Sequence, residues 1–455
     1  MAEFTIRNGM NLRLAGAPAP AIEDIGESEF TEVYPVEFHD VKPRLTVKEG
    51  NTVKQGTPLF LNKEYESLQF CSPVQGTIES IVFGHRRVVQ KIVIRREGTE
   101  AEAFAGYEPR RVKSISREDA LHQLLASGYL AYIRQRPFSR IADPEAKPKS
   151  IFVNGMASAP FQTDIQAAIQ GHEVAFQAGL DLLKRLTDGA VHLVLPGNRS
   201  DLSQALTAAE GVEIHQFNGR HPCGNTSIHI HHIDPISPND TVWTVKAIDL
   251  IQIGRLFLDG ALPTDRVVAL GGPVVKPGAR QHYRIRIGSA LSSLFDSRLE
   301  EGENRIINGN VLGGETLPSD RYLPFFSNGF TAIREDRSRS LLGWLAPGLD
   351  RFSQSPLFLS TWFARDQEWD LGSSQNGSLR AMVLTGQYDK YLPMNIMVDY
   401  LVRAVLAHDT NEAVKLGILE TDPEDFAPCA FACPSKMDLV GIIRRGLELI
   451  EEEGL

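Results

Sequence analysis

Cysteine, net positive charge and long apolar runs are all scarce in this chain, and each scarcity excludes something. Four unevenly spaced cysteines in 455 residues (Cys71, Cys223, Cys429, Cys433) exclude a disulfide framework and suit a reducing compartment. No uninterrupted apolar run approaches the roughly 18 residues of a membrane span. The most apolar helical stretch, Met394 to Ala407, is broken by Asp399 and Arg403. The opening MAEFTIRNGMNLRLAG places Glu3, Arg7 and Asn8 where a signal peptide needs an apolar core, so a cytoplasmic location is expected. A net charge of -10 sets nucleic acid aside as the main partner, because phosphate binding needs a concentrated basic face.

A glycine-rich phosphate cradle is missing as well. The strand SIFVNGM ends in NGMASAP, and GNVLGGETLPSD (Gly309 to Asp320) has neither the lysine nor the following helix, so it reads as a turn-rich surface loop.

What is present is an ordinary globular composition, 42% hydrophobic and 23% charged, in a chain too long for one core. Residues 1–105 are short β-prone runs separated by Gly and Pro. Within them, Val47 to Phe60 and Phe70 to Ile81 have the pattern of a barrel-sandwich hybrid, the fold of biotinyl and lipoyl carriers. Val47, Val53, Leu59 and Val74 are expected to point inward, and Gly50, Gly56 and Gly76 to sit at turns needing positive φ. The intervening Lys63, in NKEYES, lacks a carrier's methionine-lysine signature, which points to a scaffold and not a swinging arm.

Residues 106–255 alternate helices and strands: a helix over Glu118 to Ala126 stopped at Gly128, then SIFVNGM, Ile165 to Ile169, AVHLVLPG, LSQALTAA and VEIHQF. Such alternation implies a parallel, Rossmann-like sheet whose ligands bind beyond the carboxyl ends of its strands. Thr241 to Gly260 reads as a strand running into a helix capped by Gly260. Residues 256–335 then form a small α+β unit with strands in RVVALGGPVV and RIRIG, and residues 336–455 a linker and a helical C-terminal domain.

The most site-like stretch is Gly219 to Pro238, GRHPCGNTSIHIHHIDPISP. Read as a β-strand, it puts His229 and His231 on one face about 6.6 Å apart and His232 on the other. That spacing suits a metal, an anion, a quinone oxygen or plain structural hydrogen bonds. Cys223 beside His221, His229 and His231 could form a zinc set, although nothing in the spacing demands one. Arg134, Arg136 and Arg140, clustered around Pro137 and Phe138, read as a solvated basic loop, or else as a contact for a partner protein or acidic lipid. CAFACP resembles a ferredoxin ligand run, but two cysteines cannot hold a four-iron cluster within one chain, and buried cysteine is commonly a small hydrophobe.

Taken together, HPxGNxxxHIHxxDP, RPFSR, VWxxxxxDLIQIG, DRVVALGGPVVK, LLGWLAPGLDRFS and CAFACPSK make the chain resemble the NqrA family of the sodium-translocating NADH:quinone oxidoreductase (Na(+)-NQR), almost end to end. Cys223 departs from the alanine usual in that family. The resemblance implies a fold similar to the flavin-binding subunit of respiratory complex I: barrel-sandwich hybrid, Rossmann-like domain, small β-grasp (SLBB-like) unit and helical C-terminal domain. It also implies a peripheral component on the cytoplasmic face of the bacterial inner membrane, in a six-subunit pump that oxidises NADH, reduces ubiquinone and exports Na+. The membrane-embedded NqrB is then the expected partner. FMN, FAD, riboflavin and the iron–sulfur centres are expected in the other subunits, with no cofactor or metal in this one and no catalytic residue. His221, Gly224, Asn225, His229, His231, Arg134, Arg136 and Phe138 are the candidate contacts for quinone or partner. The rival readings are a stand-alone NADH-dependent flavoenzyme and a purely structural docking protein.

Overall fold

The computed structural model describes residues 2–237, 239–318, 320–337, 345–364, 366–383 and 386–454. Pro238 of the histidine segment, Ser319 of the glycine-rich stretch and residues 341–344 of LLGWLAPGLDRFS lie outside them.

A seven-stranded sheet forms the centre of the molecule. Its strands in chain order are β1 (Ala2–Ile6), β2 (Arg134–Arg136), β3 (Arg140–Ile141), β4 (Ser150–Asn154), β5 (Ala190–Pro196), β6 (Glu213–Gly219) and β7 (Val242–Lys246). Their spatial order is β1-β6-β5-β4-β7-β2-β3. The five strands β1, β6, β5, β4 and β7 run parallel, and the β2–β3 hairpin joins β7 antiparallel. Strands β4, β5 and β7 are almost wholly buried, because a parallel sheet is covered on both faces and its strands therefore read as continuous apolar runs.

One face carries α1 (Arg117–Ser127), α2 (Glu173–Leu186) and α4 (Ala247–Asp259) in a single core with the N-terminal sandwich. Gly128 and Gly260 end α1 and α4 in left-handed geometry, as their positions suggest. Helices α2 and α4 touch backbone to backbone: a Cβ on Gly254 would lie 1.8 Å from the Ala175 carbonyl oxygen. The opposite face carries α3 (Thr226–Ile233), packed with α5 (Val398–Leu406) and α6 (Leu439–Glu453) around Phe152, Phe217 and Phe426.

The N-terminal unit is a sandwich of a four-stranded and a three-stranded sheet, with Val47, Val53, Leu59 and Val74 all inside. Gly50 and Gly56 have φ of 81° and 95°. Gly76 does not: it opens a strand, and glycine is needed there because a Cβ would lie 2.1 Å from the Arg95 carbonyl oxygen. A fourth, six-stranded sheet contains Asp265–Gly271, Gln281–Arg286, Asn304–Asn308 and Gly329–Arg334, and takes Ala19–Asp24 onto its edge. The glycine-rich stretch at 309–314 connects two antiparallel strands of this sheet.

Candidate functional site

The histidine segment is helical, which corrects the strand reading. After β6 the chain turns through a cis His221–Pro222 bond, and α3 starts from Asn225. The physical reason is topological: β6 must reach the parallel strand β7 on the far side of β4, and such a crossover needs a helix over the sheet face. Ile228 and Ile230 mimic strand alternation because Thr226 to Ile230 are all buried, leaving no polar stripe to reveal the helical period.

The imidazoles therefore diverge. The His221 Nδ1 meets the Ser158 hydroxyl at 2.9 Å, and the same oxygen accepts the Gly224 amide at 2.9 Å. The His229 Nε2 lies 2.9 Å from the Cys223 carbonyl, its ring against Phe217. The His231 Nδ1 is 2.8 Å from Glu420, and the His232 Nδ1 is 2.8 Å from the Ile228 carbonyl. The Cys223 thiol is buried and pushed up to about 11 by that burial. The zinc set weighed from sequence is thus three imidazoles turned to different partners and a buried thiol. At the carboxyl end of β4, Asn154 donates to the Gly224 carbonyl (2.9 Å) and to Thr226 (3.0 Å). A Cβ on Gly224 would sit 2.6 Å from the Ser158 oxygen. These contacts lie at the carboxyl end of β4, the end of a Rossmann-like sheet at which ligands bind.

Burial holds His229 down to about 3 and His221 to about 4, so both are neutral when folded. Unfolded histidine binds a proton below about pH 6.5, so their stabilising contribution is complete above that pH and is lost as pH falls toward 3 to 4. His229→Gln removes one such group. The stability of the wild type relative to this variant should fall by about 2 kcal/mol between about pH 7 and pH 5, read from urea unfolding at the two pH values. A difference independent of pH would refute the assignment.

Arg134, Arg136 and Arg140 do not form a solvated loop. They lie on the β2–β3 hairpin, Arg136 is 4% exposed, and its guanidinium meets Asp422 at 2.8 Å. Arg134 stacks over the Phe326 ring at 5.4 Å, and Arg140 pairs with Glu451 at 3.2 Å. The Asp422 amide donates to Asp425, which accepts from Asn225 at 2.8 Å, so Arg136 and Asn225 share one network although far apart in sequence. Burial, then the Asp422 charge, pushes Asp425 up to about 6. Sequence reading missed these two acids; DPED, with proline at the first helical position and an acid at the third, is a capping-box signal that could have shown them. Phe138 has φ of 73° and packs against the α3/α5/α6 core. Cys429 and Cys433 are buried against Tyr388, whose hydroxyl is 3.0 Å from the Cys433 sulfur.

Two hollows are notable. A small one of about 40 Å³ lies among Glu37, Phe38, Phe70, Tyr129 and Phe325, where burial pushes Glu37 up to about 7. An open cleft of about 520 Å³, a size that takes a small ligand, is bounded by the end of β1 (Thr5, Ile6) with Arg7 and Asn8, by His232, and by Asp389 and the Leu392–Met397 segment. Of the predicted contacts, His221, Gly224, Asn225 and His229 come together inside the protein. His231 lies beside this cleft: its Nε2 accepts, at 3.4 Å, the amide of Asn395 in the cleft wall.

Comparison with known proteins gives three family models in chain order: NqrA N-terminal barrel-sandwich hybrid domain over residues 4–97, NqrA second alpha/beta domain over 115–262, and NQRA C-terminal domain over 267–318. Full-length relatives, each named as the A component of a Na(+)-translocating NADH-quinone reductase, are 39% identical over 450 residues in Saccharophagus degradans, 38% over 452 in Yersinia pestis and 37% over 451 in Hahella chejuensis, each alignment covering 99% of both chains.

Proposed function

The chain belongs to the NqrA family of the Na(+)-translocating NADH-quinone reductase, and on that premise we propose that it is the peripheral component that docks on the membrane subunits of that complex, NqrB foremost, at the cytoplasmic face of the bacterial inner membrane. No helix among the described residues is long and apolar enough to cross a membrane, so attachment has to come from a surface. The observation that carries the reading is where the apolar surface lies. More than half of the exposed large apolar side chains among the described residues come from 345–383, including Leu357, Trp362, Phe363 (77% exposed) and Leu379 (73%). Exposed apolar side chains crowded into one segment mark a protein interface.

The chain contributes no redox cofactor in this reading. Its support is the donor set: at the carboxyl end of β4, Asn154, Ser158 and Gly224 are bonded to one another, and the paired thiols face a tyrosine in the core. Flavins and iron–sulfur centres of the other subunits carry the electrons, and the layout is that of a relative of the complex I flavin subunit that has kept the fold. The cleft at His232 is the place for ubiquinone: Met394, Ile396 and Met397 border it within a mainly polar lining, and Asn395 offers a donor.

Membranes holding the other five subunits test the docking. Purified chain is expected to bind them saturably and restore quinone reduction. Trp362→Glu with Phe363→Glu should weaken binding more than tenfold, since a buried aromatic anchor is worth about 2 kcal/mol. Unchanged binding of the double variant would reject this surface.

A further inference from the structure

At the end of the sheet away from the histidine turn, strands β5 and β6 bring three ligand-type side chains to one point. His192 is paired in register with Glu213, and His215 lies two residues further along β6 on the same face. The three contact atoms are close: His192 Nδ1 to His215 Nε2 is 3.1 Å, His192 Nδ1 to Glu213 Oε2 is 3.4 Å, and His215 Nε2 to Glu213 Oε2 is 3.8 Å. Two ring nitrogens and a carboxylate oxygen therefore converge, and in the tautomer that puts each ring proton on its other nitrogen all three turn lone pairs to one point.

A tetrahedral ion with bonds of about 2.0–2.1 Å holds its ligand atoms about 3.3–3.4 Å apart. The observed sides, 3.1, 3.4 and 3.8 Å, bracket that size. From this convergence we propose that His192, Glu213 and His215 form a site for a borderline divalent cation, Zn2+ by its chemistry, with Co2+ as its spectroscopic substitute. Two imidazoles and one carboxylate are a zinc donor set that leaves a fourth position. That position faces solvent on the Glu213 side, because the carboxylate is exposed while both imidazoles are buried. The rings are already positioned: His192 packs on Phe152 at 4.7 Å, and His215 is near Phe4 at 6.2 Å. His215 Nδ1 has no hydrogen-bond partner among the described residues, so it is free to carry the ring proton while Nε2 presents its lone pair. Backbone pairing holds the ligands, with β6 between β5 and the N-terminal strand β1, so the ion would tie β6, flanked by β1, to the central β5.

The full-length chain, stripped with chelator and dialysed, is titrated with Zn2+ against a chromophoric competitor at neutral pH, and separately with Co2+ in the visible region. One equivalent bound with micromolar or tighter affinity, and intense visible bands of four-coordinate Co2+, are expected. Glu213→Gln, at an exposed position that the fold does not need, should weaken binding about tenfold or more and leave the circular dichroism unchanged. His192→Asn and His215→Asn should abolish the Co2+ bands. No saturable binding, or one equivalent bound as tightly by Glu213→Gln and both histidine variants as by the wild type, would overturn the proposal.

Discussion

Arg266→Ala is expected to lower the unfolding free energy by about 3–5 kcal/mol, the range for removing one partner of a buried ion pair. Arg266 is 3% exposed on Asp265–Gly271 of the six-stranded sheet, and four groups surround its guanidinium. Asp249 of α4 accepts at 2.7 Å, Asn328 at 2.5 Å, the Ser327 carbonyl at 2.9 Å and the Tyr132 hydroxyl at 3.1 Å. The residue thus ties the α/β domain to the six-stranded sheet through a charge on each side. Alanine would strand the Asp249 carboxylate, itself 5% exposed, without a cation. The sign of the cost follows from desolvation: an unpaired buried charge costs more than the pair contributes. Arg266→Met with Asp249→Asn should therefore recover most of the loss. Urea unfolding followed by near-ultraviolet circular dichroism measures all three, and a single variant within about 1 kcal/mol of wild type would sink the argument.

The same pair explains two sequence blocks, since Asp249 belongs to VWxxxxxDLIQIG and Arg266 to DRVVALGGPVVK. Neither block announced a charge pair, because pairing between a helix and a later strand is not written in local spacing. Elements whose signal is local were legible. Strands β4, β5 and β7 showed as apolar runs, and α1 and α4 ended at glycines that take left-handed geometry. What failed depended on distant partners. Ala2–Ile6 and Ala19–Asp24 leave the N-terminal sandwich to pair with strands about two hundred residues or more downstream. The arginines around Pro137 read as solvated because the acids that pair with two of them, Asp422 with Arg136 and Glu451 with Arg140, come from the C-terminal region. The histidine segment failed for a different reason. The burial of Thr226 to Ile230 erased the periodicity by which a helix is recognised, and alternating isoleucines supplied a false one. His192 and His215 were legible only as members of two strands; their meeting depends on the β5–β6 register.

Arg136→Ala should cost a comparable 3–5 kcal/mol in the isolated chain, and its pH dependence separates a structural role from a contact with quinone or partner. Arg136 stands opposite Val242 of β7, and its guanidinium bonds Asp422 and, at 3.3 Å, the Thr421 carbonyl. It is the cation beside a pair of acids, one of which, Asp425, is already held up at about 6. Without it, Asp425 rises further. A carboxyl whose folded pKa lies above its unfolded value destabilises the fold at high pH, and the penalty is relieved as pH falls below the folded value. The deficit of Arg136→Ala should therefore be largest near pH 8 and shrink toward pH 5.5. Adding Asp422→Asn should remove part of the deficit at the higher pH. A variant that unfolds like wild type but fails only with the membrane subunits would instead make Arg136 a contact residue. Its burial, at 4% exposed, argues for the first outcome: a side chain closed off by Asp422 and Thr421 has no face left to offer a partner until the C-terminal helices move away from the sheet.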